Sequence, residues 1–260
     1  MNLNINDDNI IPDQIRGNHP PGTICVASGE LARYPAFADS LVQLLRPKGT
    51  TIQWNCGLNV AANFNKGMRD RVGEWVWIMG DDHEFEPTTL LRLLDRDLDI
   101  VVPLVVRRQP PFIPVLFKEP EADTPHGQFP PHWWHTLPPH GLFEVFTAGS
   151  AGMLIRRSVI EKLDDPWFET GHMGRDCTNE DTYFCKKAQA AGFRIFADLD
   201  VQMMHWTPMA LVPLRTKNGW TVGMKIGNDL VVALPPEQLI EWGSSIKENT
   251  KENHLSHQGG

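Results

Sequence analysis

A mostly parallel α/β sheet flanked by helices is the fold this sequence predicts, on three observations. Between Thr23 and Val106, short apolar runs alternate with amphipathic helical segments, the pattern of a right-handed wound sheet. One run, Trp75-Val76-Trp77-Ile78-Met79, stops at Gly80-Asp81-Asp82-His83, and open α/β sheets gather ligands at the carboxyl ends of their strands. The chain has 260 residues, 41% hydrophobic and 22% charged, which is enough to bury a large core and too apolar for wholesale disorder.

The elements follow in order. Thr23 to Ala27 reads as a first buried strand, and Ser28-Gly29-Glu30 as a small polar turn. A helix then carries Phe37, Leu41, Leu44 and Leu45 at helical spacing until Pro47 and Gly49 stop it. Thr51 to Trp54 makes a second strand and Asn59 to Met68 a second helix. The Trp75 strand follows, and Pro87 with Thr88 opens a helix with Leu90, Leu91 and Leu94 on one face. Ile100 to Val106 is a further strand.

From Arg107 to Phe146 the pattern breaks, with nine prolines, His126, His132, His135, His140 and the pair Trp133-Trp134. A loop of this length inside a domain is usually functional or mobile, so 107–146 is expected to be a long irregular insertion. Its histidines match no standard zinc spacing. Its tryptophans suit either stacking on a planar or sugar ligand or packing onto the body.

Ala151 to Ile155 resumes as a strand behind the small residues Thr147-Ala148-Gly149-Ser150, and a helix runs from Arg157 to Leu163. Asn179 is placed to cap a helix with Glu180 and Asp181 in its first turn. Phe193 to Ala197 and Val201 to Met204 read as two short strands, the second delivering His205 and Trp206. A hairpin, Trp220 to Ile226 with Leu230 to Leu234, and a short helix at Pro236 to Trp242 complete the reading. The expected organisation is an extended or disordered segment at 1–20, a main α/β domain at 21–206, a hairpin and helix at 207–243, and a disordered tail at 244–260.

A formal charge of −8 argues against a general nucleic-acid surface, although Arg69 with Arg71, or Arg107 with Arg108, form local basic patches able to meet phosphates. Cys25, Cys56, Cys177 and Cys185 make no CxxC pair, which fits a reducing, cytoplasmic compartment. Met1 to Pro20 lacks the pattern of a signal peptide, and no apolar run approaches the roughly 20 residues of a membrane span.

Acidic or imidazole groups thus stand at three points: Asp81-Asp82-His83, Glu180-Asp181, and His205. With Pro87 five residues beyond Asp82, the run Met153-Leu154-Ile155-Arg156-Arg157, and Pro166-Trp167-Phe168 ahead of Glu180, this order resembles the GT-A fold nucleotide-sugar glycosyltransferases, family 2-like, over Thr23 to Trp206. The resemblance implies a metal-dependent transferase that takes a UDP- or GDP-sugar, uses Mn²⁺ or Mg²⁺, and glycosylates a hydroxyl acceptor. That acceptor is open among protein, lipid, small-molecule and modified nucleic-acid hydroxyls.

The same resemblance distributes roles. Asp82 and His205 would ligate the cation with Asp81 nearby, because in the commonest register the first acid of Asp-x-Asp falls at Gly80. In a second register Asp81 and His83 flank the cation. Ala27, Ser28, Gly29 and Glu30 would line base and ribose. Asn63 would contact the donor, although Ala62 stands where the family has an arginine. Ser150, Ala151 and Gly152 would floor the sugar site, and Trp167 would stack on the acceptor. If the reaction inverts, Asp181 would be its base, since a neighbouring acid in a closed site raises basicity, with Glu180 orienting the acceptor or the base; a retaining reaction would give both a less direct role. Two other readings stay open: a nucleotide-binding protein without turnover, and a metal-dependent hydrolase or nucleotidyltransferase.

Overall fold

The computed structural model describes residues 19–28, 34–57, 59–108, 112–121, 124, 129–171, 179–207, 210–217, 219–226 and 229–233. The expected helix at Pro236 to Trp242, the tail beyond it and the segment 1–18 lie outside them.

In chain order the elements are β1 (Thr23–Ser28), α1 (Pro35–Gln43), β2 (Thr51–Cys56), α2 (Val60–Arg69), β3 (Trp75–Gly80), β4 (His83–Phe85), α3 (Thr89–Leu94), β5 (Ile100–Leu104), β6 (Leu116–Phe117), β7 (Leu142–Val145), β8 (Thr147–Ala148), β9 (Met153–Arg156), α4 (Arg157–Lys162), α5 (Glu180–Ala190), β10 (Ile195–Trp206), β11 (Ala210–Thr216), β12 (Gly219–Ile226) and β13 (Asp229–Ala233). The central sheet runs β2-β1-β3-β9-β5-β10 and continues through β11, β12 and β13. β2, β1 and β3 pair in parallel, as do β5 and β10. β9 lies antiparallel between β3 and β5, so the sheet is mixed and mostly parallel.

Both faces of this sheet are covered, as a parallel layer requires. Trp75, Trp77 and Met79 of β3 pack with Phe37, Leu41, Leu90 and Leu94 on the α1 and α3 side. Val76 and Ile78, pointing the other way with the period of two of a strand, join Phe64, Met68, Phe184 and Ala188 of α2 and α5. Asn59 caps α2 as its sequence position suggests, its side chain accepting from the Ala62 amide at 2.8 Å. Asn179 occupies the cap position of α5 without a side-chain capping bond. Asp181 Oδ1 instead accepts from the Thr182 amide at 2.7 Å.

Three differences from the sequence reading shape the site. The two short strands expected after Phe193 are one strand, β10, whose register with β5 jumps between Asp198 and Gln202. The jump is braced by Asp198, fully buried, which accepts from Arg96 at 2.7 and 3.1 Å. The chain from Arg107 to Phe146 is mostly irregular but supplies β7, which pairs antiparallel with the first half of β10. Beyond the jump β10 leaves β7 and pairs with β4 and β11 instead, and neither of those strands was expected.

Trp134 and Trp167 belong to the core. Trp134 is 1% exposed, donates to the Phe112 carbonyl and packs near Trp220. Trp167 is buried and donates to the Ile160 carbonyl, so neither indole is presented to a ligand.

Candidate metal and sugar-transfer site

β3 is buried until Gly80, then Asp81 and Asp82 bend the chain into β4. The antiparallel pairing of β4 with β10 sets His83 directly opposite His205. Directly opposed residues on one face of an antiparallel pair are close neighbours. Their rings accordingly stack, with centroids 4.5 Å apart and planes tilted by 23°. The Trp206 amide donates to the Asp82 carbonyl at 2.7 Å, tying the end of β10 to the acidic bend.

Asp82 contacts both imidazoles. Its Oδ1 is 2.9 Å from His83 Nδ1 and its Oδ2 is 3.4 Å from His205 Nε2. Burial pushes the Asp82 carboxyl up, but hydrogen bonds from His205 and His83 outweigh it and hold the group well below the usual carboxylate range. Burial pushes the His205 imidazole down, against the pull of Asp82. His205 Nδ1 meets the Val106 carbonyl at 2.9 Å: a protonated ring donates to both Val106 and Asp82, whereas a neutral ring that gives its proton to Val106 leaves Nε2 as a lone pair for a cation. His83 Nε2 is buried without a hydrogen-bond partner.

One ligand atom from each of Asp82, His83 and His205 lies within 4.8 Å of the others. One oxygen and two nitrogen donors, an orphaned buried imidazole nitrogen on His83 and a His205 ring anchored through Nδ1 fit a borderline divalent cation. Gly80 leaves the needed room, since a Cβ there would stand 2.7 Å from Asp82 Oδ1. The cluster takes Asp82 and His205 from one register and His83 from the other.

Asp81 is outside that cluster. Its Oδ2 accepts from Ser28 Oγ at 2.6 Å, and the same hydroxyl accepts from the Trp54 indole. Asp81 thus ties the end of β1 to the acidic bend, where Ala27 pairs with Gly80. Gly29 and Glu30 lie outside the described residues. Asn63 is buried within α2, its carbonyl accepting from Asn55. Gly152 has φ +71°, and a Cβ there would fall 2.5 Å from Met203 Sδ, so packing alone requires glycine.

Asp181 sits at the start of α5. Its Oδ2 is 3.7 Å from where a Cβ on Gly149 would lie. Gly149 donates to the Val115 carbonyl, and Val115 to Val105, the residue before the one that holds His205. Asp181 is therefore reached from His205 through two backbone pairings and is not part of the cluster. Burial, and then the charge of Glu180, push its carboxyl up to about 6.

Arg108, which the sequence marked only as part of a basic patch, donates to Asp82 Oδ2 at 2.7 Å. On the reverse face of the β4–β10 ribbon, Glu84, Met204 and Trp206 line a cavity of about 730 Å³ that does not include the Asp82 cluster.

The sequence model of glycosyl transferase family 2 matches residues 23–164. Among solved structures, one described as "Crystal Structure of A197 from STIV" is similar at 15% identity and a TM-score of 0.52, over 82% of this chain and 97% of that one, a likeness of fold. No curated protein matches.

Proposed function

This chain belongs to glycosyl transferase family 2, and from that membership and the Asp82–His83–His205 cluster we propose a metal-dependent transferase that moves a sugar from a nucleoside diphosphate to a hydroxyl. The observation that carries the reading is the convergence of those three side chains, from two segments over a hundred residues apart, at the carboxyl end of β3. Asp82, His83 and His205 would hold Mn²⁺ or Mg²⁺, which when bound supplies Lewis-acid stabilisation to the departing diphosphate of a UDP- or GDP-sugar.

The chain's own groups do the rest. Ser28, held between Trp54 and Asp81, offers its end of β1 to the nucleoside. Asp181, with a carboxyl raised to about 6, is ionised at neutral pH yet basic enough to take the proton of an acceptor hydroxyl. Glu180 beside it sustains that basicity. On this reading Asp181 is the base of an inverting transfer.

Buried free thiols at Cys25 and Cys185 accord with a cytoplasmic location. No described helix is long and apolar enough to cross a membrane.

The test is a titration of Mn²⁺, followed by electron paramagnetic resonance, into wild type and His205→Ala, beside hydrolysis of UDP- and GDP-sugars. Loss of even an outer-shell partner costs metal sites about 10- to 100-fold, so His205→Ala is expected to lose at least that. Equal Mn²⁺ binding by both proteins, or no metal-dependent response to any nucleotide sugar, would overturn the reading.

A further inference from the structure

Arg108 stands at a fixed place with an exposed side chain. The loop that carries it is closed at its base, where the Arg107 amide donates to the Ile113 carbonyl at 2.9 Å and Val106 bridges Pro114. The Arg108 side chain is 52% exposed, and its tip is anchored on Asp82 Oδ2. That same oxygen faces His205 Nε2. One carboxylate oxygen therefore meets both the guanidinium and the His205 imidazole, the side from which a cation would be ligated.

Charge decides what happens when that space fills. With both imidazoles neutral, Asp82 and Arg108 cancel. A divalent cation ligated by Asp82 leaves the centre with a net charge of +1, so Arg108 would then be held against a like charge. An exposed arginine leaves such a pair at little cost, and its planar fork suits phosphate oxygens. The anion that a loaded transferase site gathers beside its cation is the diphosphate.

We propose that Arg108 is a placeholder for the divalent cation: it occupies Asp82 in the empty enzyme, gives up that carboxylate on loading, and then grips the donor's diphosphate. The inference rests on Asp82, His83 and His205 being the cation's ligands. Arg108 is thereby a substrate-binding residue as well as a brake on metal entry.

The experiment compares full-length wild type, Arg108→Gln and Arg108→Lys. Mn²⁺ affinity is read by electron paramagnetic resonance without any anion. Affinity for inorganic pyrophosphate is then read by calorimetry on protein saturated with Mn²⁺, where Arg108 has already left Asp82. If Arg108 occupies Asp82 about nine-tenths of the time, removing it tightens apparent Mn²⁺ binding about tenfold, since apparent affinity scales with the competent fraction.

Arg108→Gln is expected to bind Mn²⁺ about tenfold more tightly and, once loaded with Mn²⁺, to bind pyrophosphate about tenfold more weakly. Arg108→Lys, which keeps the charge, should stay near wild type for Mn²⁺ and fall between the two for pyrophosphate. Unchanged or weaker Mn²⁺ binding by Arg108→Gln would overturn the placeholder, and unchanged pyrophosphate binding would overturn the grip. If no variant binds Mn²⁺, the ligand assignment falls as well; if all bind it equally, only Arg108 loses its role.

Discussion

Replacing Asp181 by asparagine is expected to stabilise the protein while disabling it. In the unfolded chain this carboxyl titrates near 3.8; folded, burial and then Glu180 raise it to about 6. A group whose folded value is raised binds its proton more tightly in the native state. Its contribution to stability is thus complete below the unfolded value and is lost as pH rises through about 6. Two units at about 1.36 kcal/mol each put the cost of ionised Asp181 near 3 kcal/mol above that pH. Asparagine removes the charge and keeps an Oδ1 acceptor for the Thr182 amide and hydroxyl, which Asp181 now meets at 2.7 and 3.3 Å. Urea unfolding of both proteins from pH 4 to 8 tests this. The gap should be small at pH 4, open through about 6, and level at about 2–3 kcal/mol in favour of the variant. His132, which burial pushes down to about 4, makes both proteins lose stability as pH falls from 6.5, and it cancels in the difference. A gap independent of pH, or a less stable variant at pH 7.5, would refute the desolvation argument.

The same carboxyl predicts that kcat/KM for transfer rises with pH through about 6 and then levels, and that Asp181→Asn lowers turnover by about 100- to 10,000-fold. A profile flat from pH 5 to 8 would take the base role from Asp181. Arg96→Ala leaves the fully buried Asp198 without its guanidinium, and because Arg96 is itself a third exposed the loss is expected at about 1.5–3 kcal/mol, that of a hydrogen bond to a charged group. A loss below 1 kcal/mol in urea unfolding would show that the β10 register jump does not depend on this pair. Gly80→Asp restores the first acid of the common motif, yet its Cβ would stand 2.7 Å from Asp82 Oδ1. It is expected to weaken Mn²⁺ binding by about tenfold or more, as displaced metal ligands do; tighter binding would show that Gly80 is not a spacer.

What the sequence disclosed and what it hid divide along a physical line. β1, β3 and β5 are continuous apolar runs bounded by turn residues, a local signal that a strand buried on both faces must carry. α2 and its Asn59 cap were equally local. β4 spans only His83–Phe85, too short for any period to show. β10 is interrupted by Asp198 and Asp200, which broke it into two apparent strands. Those acids are polar because they brace the jump: Asp198 on Arg96, and Asp200 on His140, Gly141 and Arg215. The pairing of His83 with His205 depends on both hidden features, so neither register read from the motif could include both histidines. The alternation His83-Glu84-Phe85, buried on either side of a half-buried glutamate, was the one local trace.

The register jump is also what makes the cluster possible. Before it, β10 is held between β5 and β7, and both of its edges are spent on backbone pairing. After it, β10 exchanges β7 for β4, the segment that leaves the acidic bend. The site is therefore assembled by strand exchange along one strand: its first half completes the sheet, and its second half carries His205 back to the end of β3. The two halves of the cluster differ in consequence. His83 and His205 are set by backbone pairing, and the Trp206 amide fixes the bend that bears Asp82. Arg108 reaches the same carboxylate from an exposed side chain on a loop. A rigid donor set with one movable charge can change its charge balance on loading without rearranging the sheet, which is what preorganised stabilisation of a leaving diphosphate asks of a fold.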